Sequence, residues 1–181
     1  MTPELDFNTL FRQYYSRAFR LAYFMTNDKT LSDDIVQEAF LIVYNKINTL
    51  RDKGKFRFWL NKIVINCTNQ ILRTNSKYYL TDNIEIIANK FTNEECYDPL
   101  NIIEENELNN EILKFIQQLG KLEREIFILR YYEEYSYKEI AETLGINEST
   151  ARSIIHRGKK VLVHYIKNYE SGYAEKVGDV L

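Results

Sequence analysis

Arg152, Ser153, His156, Arg157, Lys159 and Lys160 follow one another near the end of this 181-residue chain at steps that put them on one side of a helix. With Ser149 and Thr150 just ahead, they form a set suited to a polyanion. Cations displace counterions from phosphates, hydroxyls hold phosphate oxygens, and an Arg fork can pair with the major-groove edge of guanine. A second basic run spans residues 51–77, where Arg51, Lys53, Lys55, Arg57, Lys62, Arg73 and Lys77 face one acid, Asp52, for a net +6. Residues 149–168 hold five bases and no acid, a net +5. Between them, residues 82–111 carry nine acids against Lys90, a net −8. The overall charge of −2 argues against a nucleic-acid binder, but the segregation of charge argues for one.

Other chemistries find little support. His156 and His164 are eight residues apart, too far along one helix to share a metal ion. Cys67 and Cys96 cannot make a four-ligand metal site alone, leaving only a mixed site with the two histidines conceivable, and they are too few for a disulfide framework. Cys96 has no basic neighbour to activate its thiol. There is no glycine-rich phosphate loop, nucleophile elbow or carboxylate pair set against a base. The expectation is a protein without catalytic residues, cofactor, metal or small-molecule substrate. The basic-then-apolar layout of a signal peptide is missing and the longest apolar run is near residues 39–44, so no membrane insertion and a cytoplasmic location are expected.

Helices must position these groups. Two prolines and six glycines are too few for a turn-rich strand fold. Apolar residues recur at helical spacing from Phe7 to Ala22. Thr30 with Asp33 fits a capping box opening a helix to about Ile47, with Val36, Phe40, Val43 and Ile47 on one face and Asp34, Gln37, Glu38, Leu41 and Tyr44 on another. A charged loop at residues 48–55 precedes a helix striped by Trp59, Leu60, Ile63, Val64, Cys67 and Ile71. On that helix Trp59 reads as core, while Phe56 and Phe58 fit either a core or a base-stacking role. Further on, a helix around Leu108–Leu119 is expected to end at Gly120 as a left-handed cap. Helices then follow at residues 123–132, 137–144 and 148 to about 168. The fold class is all-α: two small helical domains, 1–77 and 106–170, joined by an acidic linker, 78–105, with a short helix near residues 84–90 and a tail, 171–181.

The final pair of helices has helix-turn-helix spacing: Ser136 as cap, Ala141 where the helices cross, and Gly145 in the turn. A plain surface hairpin would explain the cations but not these three residues in register with them. The segment from Leu119 to Gly145 resembles region 4 of the sigma factors of bacterial RNA polymerase. Leu31 to Tyr44 resembles region 2.2, and Phe56 to Asn66 resembles regions 2.3 to 2.4. Their order, with nothing resembling the other regions, is similar to that of the extracytoplasmic-function (group 4) sigma factors.

The resemblance implies that Asp34, Gln37, Glu38 and Leu41 dock on core RNA polymerase. It implies that Arg51, Lys53, Lys55, Arg57, Lys62, Asn66, Asn69 and Arg73 serve the −10 element of promoter DNA. It assigns the −35 element to Ser149, Thr150, Arg152, Ser153, His156, Arg157 and Lys159, and it implies an anti-sigma factor as a further partner. Two positions depart from the family, which commonly has a basic residue where this chain has Ile65 and an Arg where it has Ile154. The alternatives are a stand-alone helix-turn-helix regulator, or an interaction protein that binds polymerase without reading DNA.

Overall fold

A computed structural model describes the backbone of residues 6–78 and 107–178, and side chains within residues 6–74 and 112–167. The described residues are helical and include no strand. The chain divides into two compact units, Met1–Ile102 and Ile103–Leu181. The expected linker lies outside the described residues apart from Tyr78, as do the short helix expected near residues 84–90 and Cys96.

The first unit is three helices, each packed on the other two: α1 (Phe7–Thr26), α2 (Lys29–Lys46) and α3 (Phe56–Tyr78). Asp6 caps α1, its carboxylate accepting from the Thr9 amide at 3.0 Å. The helix ends at Asn27, which takes the left-handed conformation (φ 55°). The capping box expected at Thr30 and Asp33 does not form. Asp28 caps α2 instead, accepting from the Leu31 amide at 2.9 Å, and Asp33 is engaged by the Tyr15 hydroxyl of α1. The α1–α2 connection is only two residues, so the first available acceptor at the helix start wins.

The core of this unit is Leu10, Ala18, Phe19, Leu21, Ala22 and Met25 of α1 against Ile35, Val36, Ala39, Phe40 and Val43 of α2 and Leu60, Ile63, Val64 and Cys67 of α3. Ile47, expected on the α2 stripe, lies beyond the helix in a 3-10 turn, half-buried. A second such turn, Lys53–Lys55, starts from Asp52, whose carboxylate accepts from the Gly54 amide at 3.0 Å.

The second unit holds α4 (Glu107–Gln118), α5 (Lys121–Phe127), a π-helical turn (Ile128–Tyr132), α6 (Tyr137–Leu144) and α7 (Glu148–Gly178). Gly120 is not a left-handed cap; at φ −57°, ψ 156° it is the residue that starts α5. The end of α4 is satisfied by a side chain instead. Arg124 donates to the carbonyls of Gln117 at 2.7 Å and Leu119 at 3.2 Å, as suits a cation at the negative end of a helix. The π turn is closed by the Glu133 amide on the Ile128 carbonyl, and it buries Ile128 and Leu129 beside Ile126, Phe127 and Tyr135. α7 continues to Gly178, through most of the expected tail. No proline interrupts it, and extending an existing helix needs no new nucleus.

Gly158 lies inside α7, where glycine costs up to about 1 kcal/mol relative to alanine. It is there because a Cβ would stand 2.3 Å from Cζ of Phe127, a ring buried between Phe115 and Tyr131. Gly158→Ala is therefore expected to destabilise the chain by about 1–3 kcal/mol despite the better helix former. Adding Phe127→Leu should recover part of the loss. Urea titration followed by circular dichroism at 222 nm checks both; an unchanged or higher midpoint for Gly158→Ala would show the ring is free to move.

Candidate partner and DNA interfaces

With one side of α2 in the core, Asp34, Gln37, Glu38, Leu41 and Tyr44 are all exposed on its outer side. Leu41 is 54% and Tyr44 64% exposed, apolar groups in open water beside three polar ones. Tyr44 is not loose: Phe7 of α1 meets its ring edge-on at 5.2 Å, and Phe7 in turn packs on Phe40 at 6.2 Å. Sequence reasoning gave Phe7 only a place on a core stripe, since nothing local shows that α1 reaches the outer rim of α2. Partial burial, followed by the charges of Asp33 and Asp28, pushes the Asp34 carboxyl above the ordinary Asp range. Its ionised form is thus slightly disfavoured in the free protein.

The second group begins in the α2–α3 connection. Arg51, Lys53 and Lys55 are exposed there, and Lys62, Asn66 and Arg73 are exposed along α3. Arg57 is half-buried, its guanidinium 5.1 Å from the centre of the Phe58 ring. Asn69 is also half-buried. Its Oδ1 is shielded from solvent and has no hydrogen-bond partner among the described residues, while its backbone carbonyl accepts from Nε of Arg73 at 3.3 Å.

Of the two aromatic rings left open between core and base stacking, Phe56 is core: it is 2% exposed and held by Tyr14 at 4.9 Å and Trp59 at 6.0 Å. Trp59 is half-buried rather than fully enclosed, and Phe58 is half-buried too. Ile65 is 3% exposed, so the first departure from the family pattern is a residue of the core.

The third group is on α7. Ser136 and Glu139 form a reciprocal capping box at the start of α6, and Gly145 closes it at φ 67°. The Ile146 amide bonds to the Ala141 carbonyl, so the turn enters α7 in a fixed direction. Ala151, Ile154 and Ile155 are buried. Ser149, Arg152, Ser153, His156, Arg157, Lys159 and Lys160 are exposed, and Thr150 is half-buried. Ile154, the second departure, also serves packing. Arg152 is held by Glu148 at 2.8 Å and by the Tyr137 ring at 4.8 Å. Neither partner was identified from sequence; the i,i+4 spacing of Glu148 and Arg152 was the available signal.

Among the described residues no cluster of His, Cys, Asp and Glu could hold a metal ion, and no helix is long and apolar enough to cross a membrane. Two family models match the chain: Sigma-70 region 2 over residues 10–78 and Sigma-70, region 4 over residues 109–162. The chain is 31% identical over 160 residues to the ECF RNA polymerase sigma factor SigW of Bacillus subtilis, covering 82% of each. It is 28% identical over 172 residues to the ECF RNA polymerase sigma factor SigE of Mycolicibacterium smegmatis, spanning 94% of this chain and 65% of that protein's length. In fold it is similar to the sigma factor RpoE of Bartonella quintana, solved with the anti-sigma factor NepR. There the TM-score is 0.68 at 18% identity, over 90% of this chain and 97% of that one.

Burial, then the charge of Glu38, pushes the Cys67 thiol up from 9.0 to about 11. At pH 8 its alkylation by iodoacetamide in the native chain is expected to be about a hundredfold slower than in the unfolded chain, measured by peptide mass mapping. The raised value also fixes a sign. Stability from keeping this thiol neutral is complete below pH about 9 and is lost as pH rises toward about 11. Melting temperature should therefore fall less steeply across that window in Cys67→Ala; parallel curves would show that the thiol does not contribute.

Proposed function

The chain belongs to the sigma-70 family as an extracytoplasmic-function RNA polymerase sigma factor, and from that premise we propose that it joins core polymerase through the outer face of α2 and reads promoter DNA with α3 and α7. Members of this family direct transcription initiation and are regulators rather than enzymes. The observation that carries the docking assignment is the exposure of Leu41 and Tyr44 beside Asp34, Gln37 and Glu38, back to back with a fully buried stripe. A solvated charged face has no need of the two apolar residues, whereas an interface core does.

The exposed cations of residues 51–73 serve the −10 element in this proposal. Opening a few base pairs there costs several kcal/mol, which phosphate contacts and capture of unstacked bases offset. Phe56 takes no part in that capture, since its ring is in the core. The exposed side of α7 enters the major groove at the −35 element. The expected cytoplasmic location and a partner that blocks these faces, an anti-sigma factor, belong to the same proposal. The RpoE–NepR complex is an instance of such a pairing in a protein of similar fold.

Run-off transcription with purified core polymerase on the upstream region of the protein's own gene tests the function as a whole. Within it, Asp34→Ala combined with Gln37→Ala should weaken core binding at least tenfold, about 1.4 kcal/mol, with helicity unchanged. Asp34 adds a second signature. Because its folded pKa is raised, ionisation at neutral pH works against folding and stability rises as pH falls through that value. Asp34→Asn should therefore raise the melting temperature slightly at pH 7 while weakening polymerase binding. Unchanged co-purification with core polymerase would exclude this face as the docking site.

A further inference from the structure

Arg152 is treated differently from the other cations on the outer side of α7. Among the described residues Arg157, Lys159 and Lys160 extend into solvent with no ion pair or ring contact. The Arg152 side chain is 62% exposed yet anchored twice. Its Nη2 donates to Oε1 of Glu148, one turn back on the same helix, at 2.8 Å. Its guanidinium carbon lies 4.8 Å from the centre of the Tyr137 ring, on the other helix of the pair.

The Tyr137 ring is itself held. It is the first residue of α6, directly after the Ser136–Glu139 capping box. A second guanidinium, that of Arg130, lies over it at 5.0 Å and is pinned by a 2.7 Å bond to the Tyr135 carbonyl. A fixed backbone position, a fixed ring and a helical neighbour thus confine a long side chain that otherwise loses its rotamer freedom only on binding.

We infer that Tyr137 and Glu148 are positioning residues for Arg152, holding its guanidinium ready for a guanine of the −35 element. The inference rests on the sigma-factor reading above. The two anchors are compatible with base recognition. The Tyr137 ring lies within cation–π reach of the guanidinium, Glu148 takes one of its five N–H donors, and an edge with two parallel donors remains for O6 and N7 of guanine. Holding the group in place before binding lowers the ordering cost of that one contact. It does nothing for phosphate contacts made elsewhere on α7, so its effect is confined to one promoter position.

The test is abortive initiation by holoenzyme on templates carrying every single-base change in the −35 element, with wild type, Arg152→Ala, Tyr137→Leu, Tyr137→Phe and Glu148→Gln. Arg152→Ala should abolish discrimination for guanine at one position. Tyr137→Leu should reduce discrimination at that same position about two- to fivefold, with the salt dependence of binding unchanged. Tyr137→Phe, which keeps the ring face, should restore it. Glu148→Gln, an exposed change that leaves the fold intact, should reduce it by up to about twofold.

In an Arg152→Ala background, Tyr137→Leu should change the preference no further. Equal loss on every template, or an unchanged preference in active Tyr137→Leu and Glu148→Gln holoenzymes, would overturn the positioning role while leaving the sigma-factor reading standing. A wild-type chain that directs initiation on no template would overturn both.

Discussion

A helix in a three-helix unit can bury one stripe of its surface, and most of what this protein presents to partners follows from which stripe that is. In α2 the stripe is Ile35, Val36, Ala39, Phe40 and Val43. Each large member is worth about 1.5–3 kcal/mol of burial, far more than any rearrangement of surface charge could recover. Asp34, Gln37, Glu38, Leu41 and Tyr44 are consequently turned outward, and the apolar pair among them has nowhere to hide. Tyr44 is steadied by the Phe7 edge without being covered, which keeps a rigid aromatic group available at low ordering cost. The raised Asp34 carboxyl is the electrostatic counterpart: a charge kept where the free protein slightly disfavours it.

The same constraint shapes the second unit. Ala151, Ile154 and Ile155 tie α7 to its neighbours, and Gly158 lets the Phe127 ring approach that helix closely. With these residues inward, the hydroxyls and cations of α7 must point out. The left-handed Gly145 and the capping box on α6 then set the direction from which α7 leaves the turn. Ile65 and Ile154 fit this frame. At both positions the side chain is in the core, so in the proposed reading contact with DNA falls to the exposed polar residues around them.

Net charge says little about such a molecule. At physiological salt, exposed charges more than about 8 Å apart are largely screened from one another. A phosphate therefore feels the few cations within that distance, drawn from segments of net +6 (residues 51–77) or +5 (residues 149–168), rather than the −2 of the whole chain. Within those segments the side chains differ in kind. Lys62 and Lys159 are exposed cations, suited to phosphate, while Arg57 and Arg152 lie over aromatic rings that limit their freedom.

The helical class, the α6 and α7 boundaries at the turn, the Ser136 cap and the placing of Gly145 in the turn were legible from sequence because each depends on residues within one or two turns of itself. The outward set on α2 was legible for the same reason, since helical period alone separates Val36, Phe40 and Val43 from Asp34, Gln37 and Leu41. Decisions that needed a neighbour from elsewhere in the chain were not. Asp33 was drawn away from a capping role by Tyr15, eighteen residues earlier, and Arg124 took over the cap expected of Gly120. Phe56 went to the core because Tyr14 of α1 meets it there. The Tyr137 ring found Arg130 on one element and Arg152 on another. Local pattern determines where a helix runs and which face it can bury; only packing between helices decides which polar and aromatic side chains remain free to meet a partner.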